Sequence, residues 1–134
     1  MCLRVEIPYW VESRQLFSRI AERPWAVFLD SGYPHTDVGR FDILAADPYL
    51  TLTTRDNITE IRQGDDISLS PEDPFTILRD KLGPALKQPN DLPFCGGAIG
   101  WFSYDLAWRI EILPESPKSR EQLPDMAIGL YDWA

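Results

Sequence analysis

Apolar and polar residues follow two different periods along the chain, and these predict both strands and helices. A period of two is typical of a half-buried strand, and an uninterrupted apolar run between turn residues is typical of a strand covered on both faces. Apolar residues three or four positions apart instead predict helices. The predicted strands are residues 3–7, 25–29, 41–46, 49–54, 58–62 and 67–69, and the predicted helices are residues 12–22 and 74–82.

Short turns separate the three strands predicted between residues 49 and 69, so we expect an antiparallel meander there. The helix that follows has clear boundary signals. Asp73 can accept hydrogen bonds from the first free amides, Pro74 suits the first turn, and Gly83 is a typical stop. Its predicted buried face consists of Phe75, Leu78 and Leu82.

The stretch from Pro93 to Glu111 holds three of the eight glycines among many apolar side chains. Glycines in an apolar strand favour the close approach of another backbone, so we predict a tightly packed strand up to about Phe102 and then a helical turn or loop. Residues 113–123 are predicted to be a surface loop, and residues 126–134 a last strand. Because no polar segment follows that strand, we expect the chain to be a piece of a longer protein.

Length and charge narrow the class of protein. The 134 residues suit a single domain over residues 1–134, and 44% hydrophobic with 25% charged residues is a globular composition. A net charge of −8 and a pI near 4.5 argue against a nucleic-acid partner and against an anionic membrane surface. No apolar run approaches the length of a membrane-spanning helix, and the first residues do not form a signal peptide. We therefore predict a cytoplasmic protein.

No set of catalytic or metal-binding residues emerges from the sequence. His35 lies in a polar loop and is expected to be solvated, and Cys95 lies in an apolar, glycine-rich setting typical of a small buried side chain. The glycines at residues 96–100 lack the lysine and the spacing of a phosphate-binding loop. The sequence therefore predicts no catalytic residue and no metal site.

One loop has the composition of a binding element. Ser31 follows a predicted strand, and Arg40 and Phe41 enter the next one, so a hydroxyl, a guanidinium and an aromatic ring are expected near one another. A guanidinium can hold a ligand carboxylate, or it can pair internally with Asp42 or Asp47. The residues alone allow both a bound ligand and an internal ion pair, and the internal pair is the simpler interpretation.

Three blocks of sequence carry a specific family resemblance. They are LDSG, GRFDI and ADP at residues 29–32, 39–43 and 46–48; PF, GGAIG, FSYDL and Glu111 at residues 93–94, 96–100, 102–106 and 111; and LPDM and GLYDWA at residues 123–126 and 129–134. Together they make the chain similar to the N-terminal region of the chorismate-utilising enzymes, the family of anthranilate synthase component I and aminodeoxychorismate synthase component I. The SGY-to-RFDI spacing and the YDWA ending resemble the para-aminobenzoate branch of that family.

The resemblance implies an α+β fold, with antiparallel sheets and outer helices that form part of the anthranilate synthase component I-like sandwich. It also implies that a full-length enzyme of this branch aminates chorismate to 4-amino-4-deoxychorismate for para-aminobenzoate and folate biosynthesis. Ammonia would come from a glutamine amidotransferase (glutaminase) partner, and Mg2+ would be the cofactor. The family's catalytic and Mg2+-binding motifs lie after Ala134, so this region alone is expected to be inactive.

A tryptophan site of the family does reach this region. The resemblance places its positions at Ser31, Val38, Gly39, Arg40 and Phe41. Some tryptophan-binding relatives have an aromatic residue and a serine where Val38 and Gly39 stand here, so loss of an aromatic wall would weaken binding of L-tryptophan. Two alternatives are kept: a stand-alone module that binds an aromatic amino acid or docks a glutaminase, and the N-terminal region of anthranilate synthase component I.

Overall fold

A computed structural model describes residues 3–8, 12–32, 39–85, 91–112 and 123–134 of the chain. Its elements are α1 (Ser13–Phe17), β1 (Val27–Leu29), β2 (Ile43–Ala45), β3 (Leu50–Arg55), β4 (Ile58–Gln63), β5 (Asp66–Ser70), α2 (Pro74–Leu82), β6 (Gly97–Phe102), a 3-10 helix (Tyr104–Arg109) and β7 (Met126–Tyr131). Two antiparallel sheets with few helices confirm the predicted α+β class. No helix in these described ranges is long and apolar enough to cross a membrane.

The described residues divide into two compact units. Unit 1 contains the residues up to Pro48 together with Pro84–Gly97 and Tyr131–Ala134, and unit 2 contains Tyr49–Gly83 and Ala98–Leu130. A compact unit need not fold separately as a domain. The single domain over residues 1–134 therefore stays a prediction.

Unit 2 is built on a five-stranded sheet with the order β5-β4-β3-β7-β6. The meander of β3, β4 and β5 is confirmed, with Leu52 paired with Ile61 and Ile61 paired with Ser68. β7 pairs antiparallel with β3, although about 70 residues separate them in sequence. The buried core on this sheet consists of Leu50, Leu52, Ile77, Leu106, Met126, Ile128 and Leu130.

A pair of threonines is buried in the same sheet. Thr54 and Thr59 face each other across β3 and β4, and their hydroxyl oxygens are 2.8 Å apart. Both side chains are fully buried, and their mutual hydrogen bond satisfies polar groups that would otherwise be expensive to remove from water. The sheet therefore buries these two hydroxyls without leaving them unpaired.

Helix α2 has the predicted boundaries but a different buried face. The Asp73 carboxylate accepts from the amide of Thr76 at 2.8 Å, and Gly83 ends the helix with a φ of 66°. Pro74 and Ile77 are the buried residues, and Leu78 is partly buried against the core. Phe75 and Leu82 are exposed, so the predicted face was wrong at both of its ends. Apolar residues lie on several sides of this helix, and the position of the sheet decides which of them is covered.

The glycine-rich stretch belongs to unit 2 from Ala98 onwards, and it forms the predicted strand followed by a helical turn. β6 ends at Phe102, and the following 3-10 helix carries Asp105 and Arg109. The amide of Ser103 donates to the carbonyl of Asp125 at 2.7 Å, which holds the start of that helix beside the segment leading into β7. Cys95, predicted to be buried, is only half-buried. The loop predicted at residues 113–123 lies outside the described residues except for its last position, and so does His35.

Unit 1 contains a two-stranded sheet, in which β1 and β2 pair with Val27 opposite Ala45 and Leu29 opposite Ile43. Helix α1 belongs to the same unit, and Phe17 stacks on Phe28 with ring centroids 5.2 Å apart. Short helices gain their stability from such packing rather than from intrinsic propensity. The stacked ring pair therefore joins α1 to β1.

Three predictions for this unit were too long. The helix predicted at residues 12–22 spans only Ser13–Phe17. After Phe17 the chain continues in tighter turns, in which the amide of Ile20 donates a hydrogen bond to the carbonyl of Phe17 at 2.9 Å. The strand predicted at residues 25–29 begins at Val27, since Trp25 has a φ of 54° and cannot continue a strand. Leu29 is exposed, so this strand is not covered on both faces. β2 begins at Ile43 and not at residue 41.

The strand predicted at residues 3–7 was wrong. Residues 3–8 adopt no regular structure, and Leu3, Val5 and Ile7 are exposed. Alternation shows that a segment suits a half-buried strand, but the strand forms only where a neighbour supplies hydrogen bonds and an apolar surface. The described part of the chain pairs no strand with this segment.

Tyr131 contributes a buried hydrogen bond to unit 1, and we expect its loss to be measurable. Its hydroxyl donates to the carbonyl oxygen of Trp25 at 2.8 Å, and burial raises the pKa of the phenol. Tyr131→Phe should lower the free energy of unfolding by about 1 kcal/mol near neutral pH. The measurement is urea denaturation of both proteins followed by fluorescence.

The same bond predicts a pH dependence. Because the pKa of Tyr131 is higher in the folded chain than the ordinary value, its stabilising contribution is present below that ordinary value, about 10, and is lost as the pH rises through the folded pKa. The difference between the wild type and Tyr131→Phe should therefore shrink above pH about 10. A constant difference between pH about 8 and about 11 would contradict this assignment.

Candidate functional site

The predicted binding residues belong to the loop that connects β1 to β2, at the loop end of this hairpin in unit 1. Leu29 is the last paired residue of β1 and Ile43 is the first of β2, so the residues just beyond them belong to the same end of the hairpin. Ser31, Gly39, Arg40 and Phe41 are described there, whereas Val38 lies outside the described residues. Because Leu29 and Ile43 are paired, the chain segments on either side of the loop begin close together.

The carboxylate of Asp42 joins three parts of this end. It accepts a hydrogen bond from the backbone amide of Ser31 at 2.8 Å, and it accepts another from the hydroxyl of Ser13, at the start of α1. Hydrogen bonds to an ionised acceptor are stronger than neutral ones. Asp42 therefore connects helix α1 to both strands of the hairpin.

The hydroxyl of Ser31 already has a partner within the chain. It donates to the backbone carbonyl of Phe41, so the two sides of the hairpin end are linked twice through Ser31. The next residue continues the turn, because the amide of Gly32 donates to the carboxylate of Asp30 at 2.7 Å. A ligand that needs the Ser31 proton would have to replace the bond to Phe41.

Arg40 supplies the positive charge of this site. Its guanidinium carbon lies 5.3 Å from the centre of the Phe41 ring, a distance typical of a cation–π contact. Both side chains are exposed. Asp47, one of the two internal partners considered for Arg40, forms an ion pair with Arg23 instead. Asp42, the other candidate, accepts hydrogen bonds from Ser13 and Ser31.

Sequence reasoning identified the positions at this end but missed how they are held. Ser31 and Phe41 are joined directly, and Arg40 lies on the Phe41 ring. The role of Ser13 was not found, because nothing in the sequence shows that the start of α1 meets a residue 29 positions later. The available signal was Asp42 itself, since a carboxylate just before an apolar strand can accept hydrogen bonds from turn amides.

The described chain has no group of three or more histidine, cysteine, aspartate or glutamate side chains placed for a metal ion. What the geometry offers is recognition: an exposed guanidinium over an aromatic ring, on a loop end fixed by Asp42. Such a surface suits a small ligand with a carboxylate and an apolar part.

Another charged pair lies elsewhere in unit 1. Arg4 donates to the carboxylate of Asp91 at 2.5 Å, and this hydrogen bond lowers the pKa of Asp91 and raises that of Arg4. Both side chains are well exposed, so solvent screens the pair and its contribution to stability is small. It is therefore a surface contact and not part of the candidate site.

Removing the Asp42 carboxylate should loosen the hairpin end. Asp42→Ala leaves the Ser31 amide and the Ser13 hydroxyl without their partner, and we expect a loss of about 2 kcal/mol in the free energy of unfolding. Asp65→Ala, in the exposed turn between β4 and β5, is the matched control and should change stability by less than about 0.5 kcal/mol. Urea denaturation measures both, and equal effects would contradict a structural role for Asp42.

Comparison with known proteins places these observations in a family. Over 121 residues, which are 88% of this chain, it is 44% identical to aminodeoxychorismate synthase component 1 of Klebsiella aerogenes and 45% identical to that of Escherichia coli. It is also 33% identical over 116 residues, 78% of the chain, to anthranilate synthase alpha subunit 1 of Arabidopsis thaliana. No protein-family model matches the chain.

The chain belongs to the family that contains aminodeoxychorismate synthase component 1 and the anthranilate synthase alpha subunit, which confirms the resemblance found in the sequence. Within that family, three bacterial aminodeoxychorismate synthase components are 44–47% identical to it, the Arabidopsis subunit is 33% identical, and two other bacterial aminodeoxychorismate synthase components are 30–31% identical. The chain spans about 27% of the length of the first three bacterial relatives and 20% of the Arabidopsis subunit.

Proposed function

We propose that this chain is the N-terminal region of a synthase component that aminates chorismate to 4-amino-4-deoxychorismate, on the route to para-aminobenzoate and folate. The observation that carries the proposal is 44–47% identity to aminodeoxychorismate synthase component 1 over 88% of the chain. Because the chain spans about 27% of the length of these relatives, the proposal places the chemistry in the part of the protein that lies outside this chain.

The proposed enzyme needs a substrate, a source of ammonia and a metal ion. Chorismate is the substrate, a glutamine amidotransferase subunit supplies ammonia, and Mg2+ binds to residues outside this chain. The two antiparallel sheets would contribute strands to an anthranilate synthase component I-like sandwich, and the cytoplasm is the compartment we expect. By this proposal, the chain alone does not aminate chorismate.

The test is a chimera. The matched segment of the Escherichia coli relative is replaced by this chain, and amination of chorismate is measured with ammonium and Mg2+, so that no glutaminase is needed. The same assay is run on this chain alone and on the Escherichia coli protein without its matched segment. We expect turnover by the chimera and none by either part alone.

Two results would contradict the proposal. Turnover by the purified chain alone would show that the chemistry lies within these residues. A chimera that folds, as judged by circular dichroism and a monodisperse elution profile, but does not turn over would show that this chain cannot replace the matched segment.

The alternative within the family is the N-terminal region of anthranilate synthase component I. It is distinguished by the product, because anthranilate and 4-amino-4-deoxychorismate are separable by chromatography. The chimera cannot decide this question, since its remaining residues come from the aminodeoxychorismate branch. The product must be identified with the complete reading frame of the gene, and anthranilate as the main product would favour the alternative.

A second candidate function is that of a binding module. Such a module would bind tryptophan or another aromatic amino acid at the hairpin end, or it would dock a glutaminase. The observation that favours a ligand is the exposed guanidinium of Arg40 over the ring of Phe41, held beside Ser31. Val38 and Gly39 belong to this proposed site by resemblance alone. Calorimetry with millimolar L-tryptophan tests it: a saturable signal that is lost in Arg40→Ala and kept in Arg79→Ala, an exposed arginine of α2, would support the module.

A further inference from the structure

Helix α1 is too short to be stable by itself. It has five residues, all of them described and none of them buried, and its capping residue Glu12 makes no side-chain hydrogen bond to the helix amides. Isolated helices of fewer than about 12 residues are marginal in water, so α1 depends on contacts outside itself. Two such contacts are described: the stack of Phe17 on Phe28 of β1, and the hydrogen bond from the Ser13 hydroxyl to the carboxylate of Asp42.

The carboxylate of Asp42 uses one oxygen for this helix and the other for the hairpin end. Its Oδ2 accepts the proton of the Ser13 hydroxyl, and its Oδ1 accepts the backbone amide of Ser31 at 2.8 Å. The bond to Ser13 is partly buried, which strengthens it relative to a fully solvated one. Because both oxygens belong to one planar group, the orientation that Ser13 gives to the carboxylate also decides where the Ser31 amide is held.

Ser31 passes this constraint to the exposed groups of the candidate site. Its hydroxyl donates to the backbone carbonyl of Phe41, and the ring of Phe41 lies against the guanidinium of Arg40. The contacts therefore form one continuous path from helix α1 to that guanidinium, and every residue on the path belongs to unit 1. Such a path couples its two ends when both respond to the same change.

We propose that Ser13 is a positioning residue for the hairpin end, acting through Asp42, so that helix α1 and the contact between Ser31 and Phe41 become ordered or loosened together. The inference rests on the second candidate function, a binding module at the hairpin end, and it names the element that responds when a small ligand binds there. A ligand that orders Arg40 and Phe41 stabilises α1, and by reciprocity any contact that orders α1 strengthens the binding of the ligand.

The competing interpretation is that Ser13 stabilises α1 alone. The stack of Phe17 on Phe28 would then hold the helix, and loss of the Ser13 hydroxyl would leave the Ser31 amide unchanged. The geometry favours coupling, because the same carboxylate accepts from Ser13 and from Ser31. Ser31 also bonds through both its amide and its hydroxyl, so a shift of Asp42 changes its contact with the other side of the hairpin.

Hydrogen exchange of single amides, measured by NMR on the chain without ligand, tests the positioning role. Ser13→Ala should make the Ser31 amide exchange about five- to thirtyfold faster, the change expected for a local opening that becomes easier by the value of one hydrogen bond. Ser13→Thr keeps a hydroxyl at this position and should restore slow exchange. The amide of Leu52, in the buried centre of β3, reports global unfolding and should not change.

Ser18→Ala is the matched control for Ser13→Ala. The Ser18 hydroxyl donates to the carbonyl of Gln15 at 2.8 Å, so its removal affects the end of α1 without touching the bond to Asp42. We expect the Ser31 amide to exchange at the wild-type rate in this variant. An unchanged Ser31 amide in Ser13→Ala, or equal acceleration in Ser13→Ala and Ser18→Ala, would overturn the proposal.

The ligand side is tested by calorimetry on the chimera described above, with L-tryptophan as the probe. We expect Ser13→Ala to weaken binding by about fivefold or more, with Ser13→Thr and Ser18→Ala close to the wild-type affinity. Equal affinities of the wild type and Ser13→Ala would overturn the coupling.

The proposals fail in different ways. A folded chimera without amination activity counts against the proposed synthase function, whatever Ser13→Ala does. A chimera that shows no saturable binding of L-tryptophan rejects the second candidate function, and the exchange of the Ser31 amide then decides the positioning role. Saturable binding that is indifferent to Ser13→Ala leaves both candidate functions intact and rejects the inference.

Discussion

Replacing Gly100 by alanine is expected to destabilise the five-stranded sheet by about 3 kcal/mol or more. A Cβ at this position would lie against the carbonyl oxygen of Ala127 and only 2.7 Å from the Cα of Ile128, both in strand β7. These are backbone atoms, so no side chain can turn aside to make room. The clash is expected to separate β6 from β7, and a loss of cooperative unfolding would be an extreme form of the same result.

The matched control for Gly100 is Gly64, in the turn between β4 and β5. A Cβ at Gly64 would meet nothing within 4 Å, although its φ of 59° is unfavourable for other residues. Gly64→Ala should therefore cost only about 1 kcal/mol, from backbone strain alone. Urea denaturation of both variants at one temperature separates steric clash from strain. Similar losses in the two variants would contradict the close packing of β6 on β7.

Replacing Leu52 by alanine is expected to lower the free energy of unfolding by about 2 to 5 kcal/mol. Leu52 is completely buried in the centre of β3, beside Ile61 on one neighbouring strand and Ile128 on the other. Its truncation removes apolar contacts and leaves a cavity that strands fixed by their hydrogen bonds cannot fully close.

Leu69 is the control for this effect, because it is also a leucine in a strand of the same sheet but is 68% exposed. Leu69→Ala should change stability by less than about 0.5 kcal/mol. Both variants are compared with the wild type by urea denaturation, with the unfolding midpoint and slope fitted separately. If both variants lost a similar free energy of unfolding, the assignment of Leu52 to the buried core of the sheet would be wrong.

Some elements were predictable because their causes are local. β3, β4 and β5 follow one another with short turns, and their alternation, threonine content and turn residues all agree. Helix α2 was predictable for the same reason, since Asp73 and Gly83 are signals that act within one turn of the helix. In these places local preference and tertiary structure coincide.

Other elements depended on partners that the sequence does not reveal. Residues 3–7 alternate as well as any strand in this chain, yet the described part of the chain pairs nothing with them. The register between β3 and β7 joins residues far apart in sequence, and the burial of Ile77 in place of Phe75 follows from the position of that sheet. The alternation of apolar and polar residues indicates that a segment is suited to a strand, but the strand pairs only where a second segment lies beside it.

The candidate site shows the same division. Sequence similarity was enough to name Ser31, Arg40 and Phe41, but tryptophan binding by these residues stays a proposal. The hydrogen bonds from Ser13 and Ser31 to Asp42 became visible only when the hairpin brought the three residues together. Side-chain hydrogen bonds of this kind depend on distances of a few tenths of an ångström, which no sequence pattern specifies.

The family resemblance, the α+β class, the meander and the second helix could be inferred from the amino-acid sequence, because they depend on local residue patterns and on segments shared with relatives. The position of β7 between β3 and β6, and the hydrogen bonds of Asp42 at the hairpin end, became visible only in the folded chain. Strand order depends on how distant segments meet, since each strand satisfies its hydrogen bonds only through a neighbour.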